Sequence, residues 1–164
     1  LTEWCAILAF IAVCAGLAAP TFKRTLADNH IRAASHVLSA HLASARATAI
    51  TRRSAVSLCA SRDGRSCTNQ TEWSHGWLMY LDPSRLSQPA RADHILRTEI
   101  RGASPIRILS SSGRSTVRFQ PNGKSSGSNV TYKICHQNEL RSSIVINNVG
   151  RVRAQRATEP TRCE

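Results

Sequence analysis

Two arginines separated by one residue stand near the end of the chain, in the run Gly150-Arg151-Val152-Arg153. On a strand, residues i and i+2 point to one face, so both guanidinium groups would face solvent together while Val152 points inward. Planar guanidinium forks match phosphate oxygens. Arg156 and Arg162 follow closely, Arg141 precedes the adjoining strand, and Lys124 stands in a Ser/Gly-rich stretch expected to be a mobile loop. This set is expected to hold a polyanion by its backbone charges, without sequence preference and with strong salt sensitivity. Most exposed arginine pairs are simply a solvated strand face, but the charge distribution argues for more. The formal net charge is +12 and the isoelectric point near 10.7. Residues 1–100 carry 11 Lys/Arg against 7 Asp/Glu, a net of +4, and residues 101–164 carry 11 against 3, a net of +8. Such an excess favours nucleic acid, or an anionic membrane or cell surface, as partner.

Six cysteines fall into two sets. Cys5 and Cys14 lie in an apolar run, where a thiol behaves as a small hydrophobe. Cys59, Cys67, Cys135 and Cys163 lie in the polar body, and four cysteines allow three pairings. The sequence-local pairing joins Cys59 to Cys67 and Cys135 to Cys163, and turn residues between the first two would let that loop close. Disulfides imply an oxidising compartment such as a periplasm or cell exterior. Zinc is the competing use of cysteine, but the chain has no C-x-x-C pair, and His75, His94 and His136 lack ligand spacing. No metal or other cofactor is expected.

Catalytic patterns are weak. Gly123-Lys124-Ser125-Ser126-Gly127 spells a nucleophile elbow, which needs a strand before it and a helix after it. Here the letters fall in a polar loop between two strand candidates. His30, His36 and His41 are expected on a helix, solvated or facing a partner. The chain is not expected to be an enzyme. Trp73, Trp77 and Phe119 could stack on bases, but large aromatics more commonly fill cores.

The frame for these groups begins with the apolar run Leu1 to Phe22, which holds one charge, Glu3, and one proline near its end, Pro20. About 20 apolar residues cross a bilayer as a helix, and a carboxylate within such a span is costly and marks a function. The run is too long for a signal-peptide core and lacks a basic segment before it, so a retained anchor is expected. Beyond it Leu26, Ile31, Ala34, Val37, Leu38, Leu42, Ala45 and Ala49 recur in steps of three and four, one helical stripe. A helix to about Arg53 would reach roughly 80 Å, with a kink at Pro20. Its alanine-rich stripe calls for a closely packed sheet. After Ser54 the period changes to two. Strands are expected over 55–59, 76–82, 94–100, 106–109, 116–120, 130–135, 142–147 and 149–154. The fold class is therefore α+β: a long N-terminal helix, its first half transmembrane over residues 1–23, packed on an antiparallel sheet domain over 24–164.

Glu3 and Pro20, 17 residues apart in an apolar helix, resemble the start of a type IV pilin. The remainder is similar to the FimT/GspH branch of minor pilins and pseudopilins. The residues that carry this are Ala45-Arg46-Ala47-Thr48-Ala49-Ile50-Thr51-Arg52-Arg53, Val56-Ser57-Leu58-Cys59, Ser61-Arg62-Asp63-Gly64, Cys67, Trp73, Gly76-Trp77, Phe119-Gln120-Pro121-Asn122-Gly123, Ile134-Cys135, Ile144-Val145-Ile146 and Gly150-Arg151-Val152-Arg153. The resemblance implies a subunit held in the bacterial inner membrane with a periplasmic domain. It would later pack by its helix among other pilins in a filament, with Glu3 serving assembly. Family members begin two residues earlier with a methylated phenylalanine, so the chain is expected to lack the leader and that end. FimT-like members imply binding of double-stranded DNA through the G-R-x-R element, for uptake in natural transformation. GspH-like members imply instead a pseudopilin of a type II secretion system. A minor pilin that primes pilus assembly is a third reading.

Overall fold

The computed structural model describes the backbone of residues 2–127, 129–159 and 161–163, and the side chains of Trp4, Phe22 and, within those ranges, Thr25 onward. One helix, α1 (Thr2–Thr51), precedes eight strands: β1 (Val56–Ala60), β2 (Gly76–Leu81), β3 (Ile95–Ile100), β4 (Ile106–Ser110), β5 (Thr116–Phe119), β6 (Val130–His136), β7 (Glu139–Ile146) and β8 (Val152–Arg156). Glu3 lies outside the described side chains. So does Pro20, and with it the expected kink; the backbone is helical on both sides of that position. Among the described residues no helix is long and apolar enough to cross a membrane. The apolar run behind the membrane expectation lies almost wholly outside the described side chains.

The stripe packs as its spacing requires. Ile31, Ala34, Leu38, Leu42, Ala45 and Ala49 are all buried on one face of α1. Two antiparallel sheets lie against that face, ordered β3-β2-β1-β5 and β4-β6-β7-β8. Their inner residues, among them Leu58, Trp77, Met79, Phe119, Tyr132, Ile134 and Ile144, join the helix in one core. Trp73 and Trp77 are fully buried, as Phe119 is, which puts the aromatics in the core and not on an open surface. Trp73 meets Tyr132 edge-on with ring centroids 4.9 Å apart.

His41 is a correction. It sits on the buried stripe, not in solvent, and its Nδ1 accepts a hydrogen bond from Trp77 Nε1 at 2.9 Å. The bond fixes the imidazole as neutral with its proton on Nε2, and burial followed by the nearby Arg97 charge pushes its pKa below the ordinary 6.5.

β1 is buried at every position because both of its faces are covered. Behind it the Cys59–Cys67 disulfide, with Cα atoms 5.6 Å apart, packs with Leu78 and Tyr80. The loop after β2 closes over this side. Buried Asp82 accepts from Ser57 Oγ at 2.7 Å, Arg118 Nε at 2.7 Å and the Leu86 amide at 2.6 Å. Gln88 exchanges two 2.8 Å bonds with the backbone of Cys67, and burial pushes the Tyr80 phenol up to about 12. The second disulfide, Cys135–Cys163, has Cα atoms 6.1 Å apart and ties the tail to β6.

α1 ends in a Schellman motif: the Ser54 amide reaches Ala49 O and the Arg53 amide reaches Ile50 O, both at 3.3 Å. Arg53 occupies the left-handed position, φ 49°, where glycine is usual. The chain then turns directly into β1.

Candidate functional site

The hairpin of β7 and β8 carries the arginine pair, with Val145 opposite Arg153 and Ile146 opposite Val152. Val152 packs against the core as expected. The strand itself starts later than expected, at Val152 instead of Val149, because 147–150 form a turn. The Gly150 amide reaches Asn147 O at 2.8 Å, and the Arg151 amide reaches Asn147 Oδ1 at 2.8 Å. Arg151 therefore stands at the mouth of the turn and Arg153 on the outer face of the sheet, both exposed.

Gly150 must be glycine. Its φ is 78°, and a Cβ there would run into the carbonyl oxygen of Gly123. The contact holds the turn against the loop between β5 and β6. Arg46 of α1 closes the arrangement from below, donating Nε to Gly123 O at 2.9 Å and Nη2 to Val149 O at 3.3 Å. The Ser125 amide adds a bond to Asn148 O at 3.1 Å. The stretch around Lys124, expected to be mobile, is thus anchored at several points: Gln120 also accepts at its backbone from Gly123, and the Ser126 amide reaches Arg118 O at 2.9 Å. Lys124 itself is exposed. This loop joins two strands with no helix behind it, so the geometry of a nucleophile elbow is missing.

The other expected residues lie elsewhere. Arg156 pairs with Ser142 at the far end of β8, about 13 Å along the strand from Val152 at 3.3 Å per residue. Arg141 is the extra residue of a β-bulge, since Cys135 faces Leu140 while Ile134 faces Ser142. The bulge aims its side chain at α1, where Nη2 donates to Asp28 Oδ1 at 2.8 Å, with Glu139 at 3.7 Å. That hydrogen bond lowers the Asp28 pKa, with smaller help from the charges of Arg156 and Arg32. These groups line an open groove of about 560 Å³ between α1 and the end of the hairpin. Arg162 is exposed beside it, facing Glu139 across an isolated bridge. The structure therefore brings Lys124, Arg151 and Arg153 to one end of the domain and leaves Arg141, Arg156 and Arg162 at the other. Asp28 and Glu139 already face Arg141 there. Arg46, which organises the first group, was not among the expected site residues. Its signal is an arginine on the helix between Ala45 and Ala47, where a solvated side chain is the ordinary reading.

The family model described as "Type II transport protein GspH" matches residues 34–150, well over half of the chain. The chain belongs to the GspH family. The match takes in Arg46, Gly123 and Gly150, the three residues of the clamp, and stops just short of Arg151. Two crystal structures of the Pseudomonas aeruginosa type IV minor pilin FimU are similar to this GspH-family chain, each with a TM-score of 0.61. They are 20% and 22% identical to it, and the alignments cover 79% and 81% of this chain and 96% and 93% of FimU. At that identity the likeness shows the fold: a long N-terminal helix on an antiparallel sheet domain. No curated protein sequence matches the chain.

Proposed function

We propose that this GspH-family chain is a minor pilin that binds double-stranded DNA without sequence preference, for uptake in natural transformation. In this reading the N-terminal helix holds it in the inner membrane with the domain in the periplasm. The helix then packs among other pilins in a type IV pilus, with Glu3 serving assembly. The observation that carries the DNA reading is the placement of Arg151 and Arg153. They are exposed on a hairpin fixed by the Arg46 clamp, and among the described residues no carboxylate lies within ion-pair distance of either. Unneutralised guanidinium groups on a backbone held in place suit phosphate oxygens. Arg141, spent on Asp28, contributes little in this reading.

The test uses residues 24–164, which keep every core residue among the described ones, the first of them Ile31. Duplex DNA should bind weakly, and log affinity should fall with log salt by about 0.9 for each phosphate contacted. Arg151→Gln with Arg153→Gln should abolish most of that binding. Retention of DNA by the double variant, independent of salt, counts against the reading. The family's description favours a second reading, a pseudopilin of a type II secretion system. Neighbouring secretion genes and absence of DNA binding would establish it.

A further inference from the structure

We infer that the surface carrying Arg151 and Arg153 continues across Lys124 onto the end of α1, where Arg52 and Arg53 hold further phosphates of the same duplex. This inference rests on the DNA-binding reading above. Three chain segments meet at that end of the domain. Arg46 bonds to Gly123 O and Val149 O, and the Ser125 amide bonds to Asn148 O. The side chain of Ile50 fills the space beside Gly123, so closely that a Cβ there would come within 2.9 Å of Ile50 Cδ1. Lys124 adjoins the first of these contacts and Arg151 adjoins Gly150. Arg52 and Arg53 follow Ile50 after Thr51, and both are exposed.

The charge on this end is one-sided. Segments 46–54, 120–127 and 147–153 contain Arg46, Arg52, Arg53, Lys124, Arg151 and Arg153 and no Asp or Glu. Four arginines elsewhere face carboxylates: Arg91 has Asp93, Arg107 has Glu72, Arg118 has Asp82 and Arg141 has Asp28. Among the described residues none of Arg52, Arg53, Lys124, Arg151 and Arg153 is in an ion pair. The dipole of α1 favours a cation at its end, but that effect fades within one turn. It does not explain Lys124 and Arg151 being gathered against the same end. Like charges held together repel one another and draw in a polyanion.

The experiment measures binding of a short fluorescein-labelled DNA duplex to the full chain in uncharged detergent, between about 50 and 200 mM salt. Arg52→Gln with Arg53→Gln should flatten the slope of log affinity against log salt by about 1.8, two contacts at about 0.9 each. Arg52→Lys with Arg53→Lys should keep the wild-type slope. A glutamine pair that superposes on the wild type, while Arg151→Gln with Arg153→Gln loses binding, overturns the extension and leaves the DNA reading in place. A wild-type chain that binds no duplex removes both. If the glutamine pair unfolds, phenylglyoxal labelling of the wild type decides. Slower modification of Arg52 and Arg53 in the presence of duplex supports the inference, and an unchanged rate overturns it.

Discussion

His41 shows how one side chain links the helix to the sheet and makes stability depend on pH. Its Nδ1 accepts the Trp77 N–H at 2.9 Å inside the core. Only the neutral imidazole can do this, and burial holds its folded pKa below 6.5. As pH falls through 6.5 the unfolded chain takes up the proton first, so unfolding becomes more favourable. The loss continues down to the depressed folded pKa and then levels off. The urea midpoint of the domain should therefore drop between about pH 7.5 and pH 5, the window in which histidine titrates. His41→Gln, whose carbonyl can still accept from Trp77, should show a flatter profile. Equal slopes for the two proteins would sink the argument. The position of His41 was legible, because 34, 38, 41 and 45 are one helical face. The residue type pointed the other way, since a histidine in the stripe reads as polar until its partner 36 residues on is known. Asp82 was illegible for the same reason: its partners Ser57 and Arg118 are distant in sequence.

At the scale of elements, the hairpin of β7 and β8 depends on a turn fixed from outside itself. Gly150 combines a left-handed backbone with a contact on Gly123 O. Gly150→Ala should cost about 1–3 kcal/mol, the usual range for a strained backbone position, and should loosen the turn from the β5–β6 loop. Denaturant unfolding of residues 24–164 measures the first effect. Faster amide exchange at Arg151, whose N–H bonds to Asn147 Oδ1, measures the second. A variant as stable and protected as the wild type would show that the contact is incidental. The period-two runs were enough to find every strand, because inner and outer residues alternate where one face is solvated, as along β6. Element ends were less readable. In Asn147–Gly150 only Val149 is strand-like, and it drew the expected strand start forward among turn residues, while the bulge at Arg141 follows from register with β6, which no local pattern encodes. One of the expected cations is thereby aimed elsewhere: Arg141 is turned onto α1, while Arg151 sits at the turn and stays exposed.

At the scale of the whole molecule, the two ends of the sheet domain are held by different means. The end with Arg151 is organised by Arg46, Gly123 and Gly150, and the end with Arg156 and Arg162 by the Cys135–Cys163 disulfide and the Arg141–Asp28 pair. Closing a loop over a separation of 28 residues removes unfolded-state entropy worth about 3–4 kcal/mol in the chain-entropy description. Replacing both cysteines by alanine should lower stability by about that amount, which a domain in the usual range of about 5–15 kcal/mol survives. Among the described residues the tail then keeps backbone contacts such as Leu140 N to Thr161 O and Cys163 N to Asn138 O. Trypsin should cut at Arg156 or Arg162 far faster in the variant than in the oxidised wild type. Sites well apart with no shared partners behave independently, so the variant's affinity for duplex DNA should stay within about twofold of the wild type, since that effect amounts to about 0.4 kcal/mol. Loss of binding with the disulfide would mean that the tail arginines carry the contact, and the division into a binding end and a tied end would fall.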